Sequence, residues 1–193
     1  MIADRLRANI QGFYDYFERT SVGDNWDTSS LTSASIVDGQ LVLGTYDVWW
    51  SYKGAIYTGV LNLDRNFEIN LSFDFVEANN YVFGHAGIAL RTSDGTHLIF
   101  AGMGDHQGST GGFYSANIDS YNYGTADGTL GLTGTIDIKI KRVSETVSIY
   151  LQDNLVLSEE WNYAIERLDL VNDRHPDYTG IVAKFSYITV KVT

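Results

Sequence analysis

The chain of 193 residues has no cysteine. A disulfide framework and a thiolate-held metal are therefore excluded, and synthesis in a reducing compartment is expected. Proline occurs once, and no proline-rich linker divides the chain. No stretch approaches the ~20 apolar residues of a membrane-crossing helix, which argues against membrane insertion. The opening Met1-Ile2-Ala3-Asp4-Arg5-Leu6-Arg7 lacks the apolar run of a secretory signal. Positive charge is scarce too: 13 Lys and Arg stand against 24 Asp and Glu, a net charge of −11. Nucleic acid needs a basic face, and an anionic membrane surface needs the same, so neither partner is expected.

What the chain does have is aromatic residues and turn formers: 13 Tyr, 9 Phe, 4 Trp and 19 Gly. Aromatic and β-branched side chains suit a pleated, half-buried surface, and glycine suits the corners between strands. The clearest strand carries Phe67, Ile69, Leu71, Phe73 and Phe75 on one face, with Glu68, Asn70, Ser72 and Asp74 on the other. Ile136, Ile138 and Ile140 alternate with Asp137, Lys139 and Lys141. A turn at Ser144-Glu145 then leads to Val147, Ile149 and Leu151, which makes a hairpin. Asp153-Asn154 turns the chain again into Leu155-Val156-Leu157. The last strand, Tyr187 to Val192, points Ile188, Val190 and Val192 inward. Further strands are predicted at Gly39–Leu43, Ala55–Leu61, Ala86–Arg91, His97–Ala101 and Thr179–Phe185. Asp38-Gly39, Asp94-Gly95 and Asp127-Gly128 give tight-turn signals between strands. Many short strands at this spacing predict an all-β sandwich or barrel.

Two segments depart from this rhythm. Ile2, Leu6, Ile10, Phe13 and Phe17 recur at helical steps, so residues 1–11 read either as a short helix or as a lead-in, separate from a domain at 12–193. Gly102 to Gly134 is rich in Gly, Ser, Asn, Asp and Tyr without long alternation, and reads as an irregular, functional loop.

Three pieces together resemble a known family. Tyr14-Asp15-Tyr16-Phe17-Glu18-Arg19, then Trp26, then Ile36-Val37-Asp38-Gly39-Gln40-Leu41-Val42-Leu43 resemble the "D-x-F-x-R … W … I-x-x-G-x-L" opening of concanavalin A-like lectin/glucanase domains. Ile136 to Leu155 resembles their paired strands, with Asn154-Leu155 lacking the usual glycine of the turn. Tyr178-Thr179-Gly180-Ile181 and Phe185-Ser186-Tyr187-Ile188-Thr189-Val190 resemble their closing strand. The resemblance implies an antiparallel jelly-roll of two sheets, with the first and last strands side by side.

The same family includes laminarinase-like glycoside hydrolases with an "E-x-D-x-x-E" strand. Asp74 and Glu77 match its second and third positions, but Ser72 stands where the nucleophile belongs. Glycoside hydrolysis normally uses two carboxyl groups flanking the bond, and a serine without an adjacent base does not replace one. No catalytic residue is assigned. His85, His97, His106 and His175 have no zinc spacing, and His97 reads as a surface or interface residue. Gly102-Met103-Gly104-Asp105 lacks the surroundings of a dinucleotide fold and reads as loop. Asp105, Asn117, Asp119 and Asp127 offer oxygen ligands for Ca²⁺, an ion that some relatives bind, without an EF-hand pattern.

Aromatic residues outside a plausible core mark the expected ligand site. They are Trp49, Trp50 and Tyr52 beside a turn, Tyr81 with His85 in a polar stretch, and Tyr114, Tyr121 and Tyr123 in the irregular segment. Sugars present apolar CH faces ringed by hydroxyls, which a flat aromatic beside a few polar groups matches. The leading expectation is a non-catalytic, lectin-like carbohydrate-binding or surface-attachment module whose partner is a glycan or cell-surface ligand. One alternative is a virion structural, decoration or fibre protein that docks on a capsid or fibre partner, with an oligomer as one arrangement. It would be outward-facing without a signal peptide. The other alternative is a glycoside hydrolase.

Overall fold

Burial alternates along the long strands, and the alternation decides which side chains face a shared interior. A computed structural model describes residues 12–45, 52–76, 84–104, 113–119, 124–129, 133–174 and 182–192. The first strands are β1 (Phe13–Asp15), β2 (Trp26–Asp27), β3 (Ala34–Val37), β4 (Gln40–Leu43) and β5 (Gly54–Tyr57). Then come β6 (Phe67–Val76), β7 (Gly84–Arg91), β8 (Leu98–Gly104), β9 (Phe113–Ile118) and β10 (Gly124–Thr129). The last are β11 (Thr133–Val143), β12 (Thr146–Leu151), β13 (Asn154–Glu160), β14 (Arg167–Arg174) and β15 (Val182–Val192). No helix occurs among the described residues.

The strands form two antiparallel sheets. An eight-stranded sheet runs β13-β12-β11-β6-β15-β4-β3, with β1 added against β15, and a seven-stranded sheet runs β10-β9-β8-β7-β14-β5-β2. First and last strands lie side by side, with Phe13 opposite Val190 and Asp15 opposite Ile188. Between the sheets sit Ile69, Leu71, Phe73, Ile138, Ile140 and Phe185 from one layer and Ile88, Leu90, Ile99, Leu168 and Leu170 from the other, all fully or nearly fully buried. Phe73 and Phe185 stack at 5.3 Å, and losing a ring of this kind from a core costs about 3–5 kcal/mol.

The start of the domain is locked by one carboxylate. Asp15, 6% exposed, accepts from Arg19 Nη1 at 2.5 Å and Nη2 at 2.8 Å, from Trp26 Nε1 at 2.8 Å and from the Phe17 N–H at 2.9 Å. Burial pushes its pKa up, but the bonds from Arg19, Trp26 and Phe17 outweigh that and hold it below the usual carboxylate value.

Several sequence expectations need correction. Phe13 and Phe17 are not on a helical face. Phe13, Asp15 and Phe17 follow period two, and Phe17 ends the run in a left-handed conformation (φ 53°). Residues 1–11 lie outside the described residues. The segment from Gly102 to Gly134 is not one loop: Gly102 to Gly104 complete β8, and β9, β10 and the start of β11 follow. Their alternation is hidden because small Gly, Ala and Ser residues occupy positions where a strand usually shows bulk. Asp127-Gly128 does not connect two strands, since it falls at a register shift within β10. The predicted strand from Ala55 ends at Tyr57. Thr179–Phe185 and Tyr187–Val192 are not separate either: from Val182 onward they are one strand, interrupted by a register shift between Phe185 and Tyr187. This bulge lets Phe185 and Ile188 both point inward, three residues apart.

Candidate functional site

Of the aromatic residues predicted to bind ligand, Trp49, Trp50, Tyr81, Tyr121 and Tyr123 lie outside the described residues. Tyr114 lies in β9, opposite Met103 of β8. Tyr52 and His85 are brought together on the outer face of the seven-stranded sheet, with ring centroids 4.6 Å apart, and Phe100 lies 4.6 Å and 5.6 Å from them. Both are buried, at 7% and 3% exposure. Asp173, fully buried, accepts from His85 Nδ1 at 2.9 Å, from the His85 N–H at 2.9 Å and from the Tyr52 N–H at 2.7 Å. Four residues earlier on the same strand, buried Asp169 accepts from Arg91 Nε at 3.3 Å and from Arg167 Nη2 at 2.7 Å. Such a row is a satisfied polar network, and it stiffens the sheet.

Two carboxyl groups four residues apart on a strand are ~13 Å apart at ~3.3 Å per residue, whereas glycosidase pairs stand ~5–9.5 Å apart. Asp169 and Asp173 therefore do not make a hydrolytic pair. On the outer face of β6, Asp74 accepts from Gln40 Nε2 at 2.8 Å and Thr135 Oγ1 at 2.7 Å, and Ser72 is 5% exposed. Glu77 lies outside the described residues. Of the expected calcium ligands, Asp105 lies outside the described residues, Asp127 falls in β10, Asn117 is buried and Asp119 bonds His97 Nδ1 at 2.5 Å. Among the described residues, no three His, Asp or Glu side chains converge as a metal site. His97 also stacks on Tyr163 at 3.6 Å and remains partly exposed.

An open aromatic surface occurs on the other sheet. In Phe13-Tyr14-Asp15-Tyr16-Phe17 the inward positions go to Phe13, Asp15 and Phe17, which turns Tyr14 and Tyr16 to solvent at 75% and 49% exposure. The bulge in β15 turns Tyr187 outward beside them. Tyr16 lies 5.8 Å from Tyr14 and 6.0 Å from Tyr187. On the central strand β6 the outward residues Asn70 and Ser72 are short, so a trough forms between taller neighbours. It is a cavity of about 230 Å³ lined by Asn70, Asp137, Ile138, Lys139, Asp153 and Tyr187. A second cavity of about 170 Å³ lies beside β1, where Tyr14, Tyr16, Thr189 and Lys191 contribute to its lining. Burial raises the pKa of Tyr187, helped by Asp137, Tyr16 and Asp153, so its phenol stays a hydrogen-bond donor. Sequence reasoning does not single out these three tyrosines. The signal was present, because period two through residues 13–17 leaves both tyrosines outside.

Comparison with solved structures places the architecture. The GH43 protein BlXynB from Bacillus licheniformis matches at a TM-score of 0.69 and 13% identity, over 93% of this chain. The chain spans only 39% of the length of that protein. The laminarinase from Flavobacterium sp. UMI-01 matches at 0.62 and 13% identity, over 92% of this chain and 98% of that one. The fold is a concanavalin A-like jelly-roll sandwich. The CBM2 module of the Lactobacillus casei BL23 phage J-1 evolved Dit matches at 0.58 and 10% identity, over 93% and 95% of the two chains. No family model and no curated protein matches the sequence. At these identities the likeness is one of fold.

Proposed function

We propose that the chain is a non-catalytic module that binds carbohydrate through the outer face of its eight-stranded sheet. The observation that carries this reading is the open cluster of Tyr14, Tyr16 and Tyr187 beside a polar trough. The rings offer flat apolar plates to the CH faces of a sugar. Asn70, Asp137, Lys139 and Asp153 offer donors and acceptors for its hydroxyls. Neighbours in fold that carry the names of a laminarinase and a carbohydrate-binding module support the reading. Against catalysis stand the separation of Asp169 from Asp173 and the engagement of Asp74 by Gln40 and Thr135.

Tyr187→Ala is the decisive variant. On a glycan array and in titration calorimetry, wild type is expected to bind at least one glycan class and the variant to lose about tenfold or more in affinity. Wild type is expected to release no reducing sugar from the glycan it binds. Turnover that collapses in Asp74→Asn would instead establish a hydrolase.

A second reading, a module displayed on a phage particle, is favoured by the likeness to the phage J-1 module. It uses the same binding face. Immunogold labelling of intact particles from the source organism tests it, and labelled particles are the expected outcome on this reading.

A further inference from the structure

The register across the eight-stranded sheet gives the binding face a direction. Tyr150 of β12 stands opposite Lys139 of β11, Lys139 opposite Asn70 of β6, Asn70 opposite Thr189 of β15, and Thr189 opposite Tyr14 of β1. One row of outward side chains therefore crosses five strands, with a tyrosine at each end. Four strand spacings of ~4.8 Å make it ~19 Å long. The next row runs from Asp137 through Ser72 to Tyr187. One cavity lies over β11 and β6 and is bounded by Tyr187 of β15, and the other lies between β15 and β1 and is bounded by Tyr14, Tyr16 and Thr189. Lys139 Nζ sits 5.8 Å from the Tyr150 ring centroid and 3.4 Å from Asp153 Oδ1, so the far end of the row is held in place as well.

Charge along β6, β11 and β15 and the turn at Asp153 is balanced, unlike charge in the whole chain. Four of the five lysines of the sequence, Lys139, Lys141, Lys184 and Lys191, point outward from β11 and β15. Glu68, Asp74, Asp137 and Asp153 stand among them. A polyanion would meet no net positive field here and would approach a chain of net charge −11.

Resting on the reading above, we infer that the ligand is a linear, neutral glycan lying across the strands. It occupies both cavities, passes over Tyr16 and Tyr187, and stacks its ends on Tyr14 and Tyr150. Sugar rings linked in a row place an apolar face at each subsite, which scattered tyrosines at the ends and middle of a polar row would meet in turn. A branched glycan bound at a single tip would need only one cavity, and the second would serve nothing.

The test is a ladder of cello- and xylo-oligosaccharides from disaccharide to hexasaccharide, with oligogalacturonides as the acidic counterpart. Affinities are measured by titration calorimetry on wild type, Tyr14→Ala, Tyr150→Ala and Tyr187→Ala. Affinity of wild type is expected to rise with chain length for a neutral ladder and to stay weak for the acidic one. Tyr14→Ala and Tyr150→Ala are each expected to lose about tenfold on the hexasaccharide and little on the disaccharide. Tyr187→Ala is expected to weaken both. Tyr14 is exposed, so an unchanged melting temperature of its variant excludes misfolding as the cause. Binding that depends on Tyr187 but not on length, or not on Tyr14 and Tyr150, would overturn the extended path while leaving carbohydrate binding intact. Tighter binding of oligogalacturonides would overturn the neutral class. Absence of binding to every glycan on an array would overturn the proposed function and this inference together.

Discussion

Asp15 shows how much one side chain organises at the start of the domain. It gathers Arg19, the Trp26 indole and the Phe17 amide, and in doing so fixes which of the neighbouring aromatics face outward. Replacing it takes the carboxylate from a partly buried guanidinium, which keeps only the Ser21 and Val22 carbonyls, and leaves the indole N–H without its acceptor. Asp15→Ala is therefore expected to destabilise by roughly 2–3 kcal/mol in urea unfolding. The pH dependence has a definite sign. The folded-state pKa lies below the unfolded value, so this contribution is complete above the ordinary carboxylate range, about pH 4, and is lost as pH falls through the lowered folded value. The stability gap between wild type and Asp15→Asn should narrow on acidification over that range. A gap that stays constant would mean that the carboxylate carries no charge-dependent stability.

At the scale of strands, the seven-stranded sheet depends on a close approach of backbones. Gly87 of β7 stands opposite Gly102 of β8. A Cβ on Gly102 would run into the Ala86 carbonyl, and one on Gly87 into the Ala101 carbonyl. Gly102→Ala should therefore cost about 1–3 kcal/mol, at the level of other overpacking changes, and a shift of the urea midpoint with an unchanged slope would show it. The same sheet explains what the sequence concealed. β6, β11 and β12 each keep one polar face, so their alternation is plain in Phe67 to Phe75 and Ile136 to Leu151. β7 is buried on both faces, and β14, Arg167–Arg174, buries Asp169, Asn172 and Asp173. Buried charges erase the contrast that a periodicity reading needs, and β14 went unseen. Tyr14 and Tyr16 were missed for a different reason. They sit inside a motif that speaks for the fold, and their exposure becomes evident only once Phe13, Asp15 and Phe17 are seen to share the inward side. Polar flanks make Tyr52 and His85 read as ligand contacts, and the structure holds both against Asp173 in a buried cluster.

For the whole molecule, charge acts differently on stability and on binding. A net charge of −11 makes the folded chain repel itself, and compact states feel that repulsion more than expanded ones. Between ~10 mM and ~150 mM salt the screening length falls from ~30 Å to ~8 Å. The melting temperature should consequently rise by a few degrees over that interval. The proposed binding face, by contrast, carries four lysines interspersed with carboxylates, Lys139 and Asp153 at 3.4 Å among them, and a neutral glycan brings no charge of its own. Its affinity should stay within about twofold across the same salt range, measured by calorimetry on the wild-type protein. An affinity that falls steeply with salt would require a charged ligand drawn to the lysines of β11 and β15, because only an ionic contact is screened in that way.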